Sequence, residues 1–209
     1  MRNKWVTGIC PRNFHWIMRD RFAICERPGG RGESHRRVRR TEEINWIRQQ
    51  GFTRVVSLIP STHNLHNYSE QNIAWNHWPI ADNEDYRARL GPLFVELRSL
   101  LAAGEKLLVH RRALGDVVCG FTAGYLLWSG MVASEPQVVV VVEKLTGRPL
   151  GSVGRGIVSI ALTLPKPGEQ VSETGEPDTD EGLNPPALAP ESVAETGEPD
   201  EDEGRGGDG

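Results

Sequence analysis

The chain has 209 residues, 24 of them basic and 28 acidic, for a formal net charge of −4. No stretch approaches the ~20 consecutive apolar residues of a membrane span, so no membrane partner is expected. Three widely spaced cysteines, Cys10, Cys25 and Cys119, form no CxxC pair and offer neither a disulfide framework nor a zinc-ligand set.

The first ten residues hold too short an apolar run for a secretory signal, and a cytoplasmic protein is expected. Thr41 to Gly51 reads as a helix, with Thr41 as its cap, Gly51 as its stop and Ile44 and Ile47 on one face. Thr53 to Ile59 is a β-branched run suited to a buried parallel strand. His63 and His66 follow it and would share a face if the segment were helical, but no third ligand is placed, so no metal is assigned. Pro79 and Asp82 suit a turn that caps a helix from about Tyr86 to Ala103. Two further helices are expected over Glu135 to Thr146 and Gly151 to Leu164, the second opening at Ser152.

Between them lies the most informative segment, Lys106 to Trp128. It reads as a short buried strand (Leu107 to Val109), a tight loop, and an apolar helix beginning near Val118. A strand that runs through a short loop into a helix is an anion-binding geometry, because the helix start presents unpaired N–H groups and the positive end of its dipole. The segment resembles the HCxxGxxR loop of the dual-specificity and tyrosine phosphatases, with His110 as the matching histidine. Two residues depart from it. Arg111 stands where the family has its nucleophilic cysteine, and Val117 stands where it has the arginine that clamps phosphate.

The resemblance covers about Asn13 to Leu164. It makes Ala23 to Gly30 the opening strand and turn, and Ile73 to Ile80 the strand leading into a general-acid loop. Asp82, 29 positions before Arg111, then matches the general acid that protonates the leaving oxygen. The turn-and-cap reading of Asp82 is preferred, since no nucleophile is present for it to serve. Asp85 is a weaker match. His110 would shape the loop. Arg111, Arg112, Gly115, Asp116 and Val117 form the ligand-binding set, although a carboxylate at Asp116 would compete for the anion's place. A guanidinium stays protonated and cannot attack phosphorus. Cys119 is the one displaced nucleophile to consider, and core packing is the preferred reading of it. No cofactor is implied.

The fold expected is α/β, a mainly parallel central sheet flanked by helices, with a disordered acidic tail. Residues 1–12 form an N-terminal segment, 13–164 the phosphatase-like domain and 165–209 the tail. The tail carries 14 acidic residues against Lys166 and Arg205, a net −12, leaving +8 on residues 1–164. It contains a duplicated motif: Val171–Gly182 recurs as Val193–Gly204 with ten of twelve positions identical. Such a composition cannot offset its chain entropy by burial. The basic side concentrates in Arg31, His35, Arg36, Arg37, Arg39 and Arg40, a run suited to phosphate groups but without the aromatic interleaving of single-strand nucleic-acid binders.

Nucleic acid is therefore not the expected partner. The acidic tail is expected to contact its own basic domain or a protein partner. Three functions follow. The first is a pseudophosphatase that binds a phosphorylated or other anionic ligand. The second is an active protein phosphatase hydrolysing phosphoesters with a non-standard site. The third is a scaffold that recruits partners through the tail repeats.

Overall fold

Strands and helices alternate along the chain as the sequence suggests. The structure, a computed structural model, describes residues 8–30, 36–82 and 85–167. Strands β1 (His15–Met18) and β2 (Phe22–Glu26) form an antiparallel pair, and β3 (Arg54–Ser57), β4 (Ala74–His77) and β5 (Leu107–Arg111) complete a sheet of order β1-β2-β5-β3-β4. The β2–β5, β5–β3 and β3–β4 pairs are parallel. Helices α1 (Arg36–Gln49), α2 (His66–Ser69) and α3 (Tyr86–Ala102) connect the strands; α4 (Asp116–Trp128), α5 (Glu135–Thr146) and α6 (Ser152–Leu162) follow β5. The result is the α/β architecture with a mainly parallel sheet.

Successive strand residues point to opposite faces, and the two faces have separate cores. Phe22, Ile24, Val56, Leu107 and Val109 pack against α3, α4, α5 and α6. Ala23, Cys25, Val55 and Leu108 pack against Ile44 and Ile47 of α1 and Leu65 and Tyr68 beside and on α2. Helix α4 is buried almost all round, from Val117 to Trp128. That requires a close neighbour. A Cβ added to Gly120 would lie 2.7 Å from the Gly154 Cα, so α4 and α6 cross with their backbones nearly touching.

Several boundaries differ from the sequence reading for physical reasons. Helix α1 begins at Arg36, not at Thr41, because the arginines ahead of Thr41 are good helix formers. Thr41 is interior, and its hydroxyl donates back to the Arg37 carbonyl at 3.0 Å. Gly51 does end the helix region, at φ +76°. The cap of α3 is Asp85, whose carboxylate accepts from the Arg87 N–H at 3.0 Å, so the cap assigned to Asp82 is corrected. Helix α4 opens at Asp116, two residues earlier than expected.

Strand β1 has no counterpart in the sequence reading. Residues 8–12 run along the domain, with Ile9 N–H donating to the Glu42 carbonyl at 3.2 Å and Glu26 N–H to the Arg12 carbonyl at 3.0 Å. Of the basic run, Arg31 and His35 lie outside the described residues, as does the acidic tail from residue 168 onward. Among the described residues no helix is long and apolar enough to cross a membrane.

Candidate anion-binding cleft

The central strand β5 carries His110 and Arg111 to its carboxyl end, the edge at which open α/β sheets bind ligands. Alternation along β5 turns their side chains to opposite faces. His110 goes with Leu108 toward α1 and α2 and is 1% exposed. Its Nε2 lies 3.1 Å from the Tyr68 hydroxyl. Burial, and after it the nearby Arg27 and His77, depress the His110 pKa to about 3, so the ring is neutral. Its Nδ1 has no partner among the described residues. His110 thus packs against Tyr68 on the α1 and α2 side of the sheet and is not among the residues that line the cleft.

Arg111 goes the other way. Its guanidinium donates to the Ile80 carbonyl at 2.9 Å and pairs with the Asp82 carboxylate at 2.9 Å. The arginine side chain is 14% exposed and the aspartate 80%, so the pair joins a fixed cation to a carboxylate that water reaches freely. Both border a cavity of about 300 Å³ with Arg112, Ala113 and Gly115 of the loop and Ile59 and Pro60 after β3. Arg111 Nε is buried without a partner among the described residues. Gly115 is the N-cap of α4, which leaves that helix's first N–H groups without partners inside the helix.

The structure therefore brings Asp82, Arg111, Arg112 and Gly115 together, and leaves Asp116, Val117 and Cys119 outside. Asp116 turns its Oδ1 to the Gly151 N–H at 3.0 Å, tying the start of α4 to the start of α6. It does not project into the anion's place. Val117 is packed in the larger core. Cys119 is 2% exposed in α4, and burial, outweighing the nearby Arg148, pushes its thiol up to about 11. The sulfur is protonated at neutral pH. His63 precedes α2, which begins at His66, so the two histidines do not share a helix. Among the described residues no three His, Cys, Asp or Glu side chains gather as a metal site.

Two acidic residues hold the site's surroundings: Glu26, to which sequence reasoning gave no part, and Glu43, which it gave only the part of neutralising the arginine-rich run. Glu26, at the end of β2 beside Arg111, accepts from Asn13 Nδ2 at 2.8 Å and meets the Leu114 N–H of the loop at 3.5 Å. Glu43 is 1% exposed, pairs with Arg39 at 2.8 Å and accepts from the Gly29 N–H at 2.7 Å. It fastens the turn after β2 to α1. An acidic residue four positions after an arginine is a legible pair, but its burial is visible only once the turn folds over it.

No family model and no curated protein matches the chain. Solved structures do. Tk-PTP in its active form superimposes with a TM-score of 0.58 over 73% of this chain and 98% of that one, at 15% identity. A kinase-associated phosphatase whose catalytic-site cysteine is replaced by serine gives 0.55, covering 66% and 83%, at 21% identity. The human tyrosine phosphatase-like serine/threonine/tyrosine-interacting protein gives 0.51, covering 71% and 93%, at 14% identity. Identities this low speak to the fold alone.

Proposed function

The described chain has the fold of the dual-specificity and tyrosine phosphatases, and on that premise we propose that it is a pseudophosphatase, a module that binds a phosphorylated or similar anionic ligand in the cleft without hydrolysing it. The observation that carries this is the Arg111 guanidinium on the wall of a 300 Å³ cavity, ion-paired to an exposed aspartate; the resemblance to the HCxxGxxR loop aligns Arg111 with the nucleophile. A guanidinium offers donors in a planar fork and no lone pair for attack on phosphorus. An incoming phosphoryl group would displace Asp82, take over its contact, and reach the loop and helix N–H groups behind it. The buried Arg111 Nε would gain a partner in the same event.

Hydrolysis has little to work with. Asp82, which the resemblance aligns with the general acid, has its carboxylate engaged with Arg111, and Cys119 is a protonated thiol in the core. The three free cysteines fit a reducing, cytoplasmic setting.

The test is calorimetric titration of the full chain with a phosphotyrosyl peptide, its unphosphorylated form and p-nitrophenyl phosphate. Saturable binding of the phosphorylated probes alone is expected, with no release of p-nitrophenol. Arg111→Ala should weaken it tenfold or more, since a charge-assisted hydrogen bond contributes about 1.5–3 kcal/mol. Turnover that disappears in Cys119→Ser would overturn the reading.

A further inference from the structure

Among the described residues the arginine-rich run has no part in the cleft, and α1 carries its end to a different place. Arg37, Arg40 and Thr41 lie three and four residues apart, on one face of α1. That face looks across at the chain from Asn64 to Gln71, which Asn64 starts by turning at φ +68°. Between the two lies a cavity of about 340 Å³. Its wall is polar: Arg37 and Arg40 from one side, Asn64, His66, Asn67 and Gln71 from the other, with Glu70 the one carboxylate among the described residues.

The bonding inside is incomplete. Arg40 NH1 donates to Asn67 Oδ1 at 3.1 Å, but Arg40 Nε is buried and has no partner among the described residues. A buried guanidinium nitrogen without an acceptor is costly, and here it stands beside an open cavity. Glu70 does not fill that need. Its carboxylate accepts from Asn67 Nδ2 at 3.2 Å and stands 4.0 Å from His66 Nε2, held to its own helix.

We propose that this cavity is a second anion site, separate from the cleft at Arg111, and that it takes a phosphoryl dianion. Two guanidiniums outweigh one carboxylate, leaving the wall positive. A dianion is favoured over a carboxylate because the wall is net positive: doubling the charge doubles the attraction to both arginines and the repulsion from Glu70 alike, and the attraction is the larger of the two. Guanidinium forks and side-chain amides supply donors for three phosphoryl oxygens at once. The ligand is either free phosphate or a phosphorylated side chain.

The experiment uses the full chain carrying Arg111→Ala, which disables the cleft, and titrates inorganic phosphate, a phosphoseryl peptide and an unphosphorylated peptide of the sequence Glu173 to Gly182. One saturable site for phosphate is expected to survive in Arg111→Ala. Adding Arg37→Gln, an exposed position, should weaken it at least fivefold, whereas Arg40→Lys, which keeps the charge, should weaken it less than Arg40→Gln. Tighter binding of the phosphoseryl peptide than of phosphate would identify a protein ligand, and equal binding a free one. Loss of all phosphate binding in Arg111→Ala, or binding unmoved by Arg37→Gln, would overturn the proposal. So would a tail peptide that binds as tightly as phosphate and is lost with Arg37→Gln, since the site would then belong to carboxylates.

Discussion

At the scale of single residues, the Asp82–Arg111 contact sets how the cleft behaves. An ion pair with one partner 80% exposed is weak, about 0–1 kcal/mol, so it closes the cleft without sealing it. Replacing Asp82 by Asn removes the competitor and should tighten binding of a phosphorylated probe about two- to fivefold in the same calorimetric assay; unchanged or weaker binding would show that Asp82 does not compete. His110 gives a pH prediction. Its pKa is about 3 in the fold and near 6.5 unfolded, so the unfolded chain takes up a proton that the native chain refuses. The associated stability is intact above pH 6.5 and falls as pH drops from 6.5 toward 3. At pH 4.5 the loss should be about 2–3 kcal/mol. Urea unfolding at pH 7 and 4.5 checks it: His110→Asn should lose that much less between the two than the parent does, and an equal loss would remove His110 as the cause. The cysteines offer a third check. Cys10 is exposed while Cys25 and Cys119 are buried, so an aromatic disulfide reagent should titrate one thiol in the native chain and three in denaturant.

At the scale of elements, the crossing of α4 and α6 is the tightest joint. It rests on Gly120 facing Gly154. Gly120→Ala should overpack it and cost about 1–3 kcal/mol, lowering Tm by several degrees. Gly156, on the open side of α6 with nothing near its missing Cβ, is the matched control. Gly156→Ala should raise stability by about 0.5–1 kcal/mol, because alanine loses less backbone freedom in a helix. Equal thermal shifts for the two would mean that the joint is looser than it looks. The joint matters for the cleft because Asp116, at the loop's end, is tied to the start of α6 by the Gly151 N–H. Helix α6 thereby holds the loop's exit in place.

At the scale of the whole chain, both cores are made by residues between Phe22 and Ala161. Residues 168–209 hold 14 of the 28 acidic side chains, and the rest of the chain is strongly basic. A chain ending at Pro167 should keep its melting temperature within a degree or two, and should bind phosphorylated probes more tightly at low salt, with a steeper loss as salt rises. Identical salt curves for the full and shortened chains would argue against any masking of the basic domain by the tail.

The local pattern of residues was enough to read the strand–loop–helix around His110, the parallel character of the sheet, and the helix Glu135–Thr146 to its ends. These follow from chain-local physics: runs of β-branched or apolar residues, and turns that glycine permits. That an arginine, Arg111, follows His110 at the end of the strand was equally plain, because it is a matter of side-chain identity. What the local pattern could not decide was partnership. That Asp82 meets Arg111, that Asp116 turns to Gly151, and that Glu43 is buried under the Gly29 turn all depend on groups 14 to 35 residues apart in the chain. Period and propensity describe one element at a time. The cavities at Arg111 and Arg40 exist only where two or more elements meet, so tertiary packing alone decided which of the charged side chains line a cavity and which face one another.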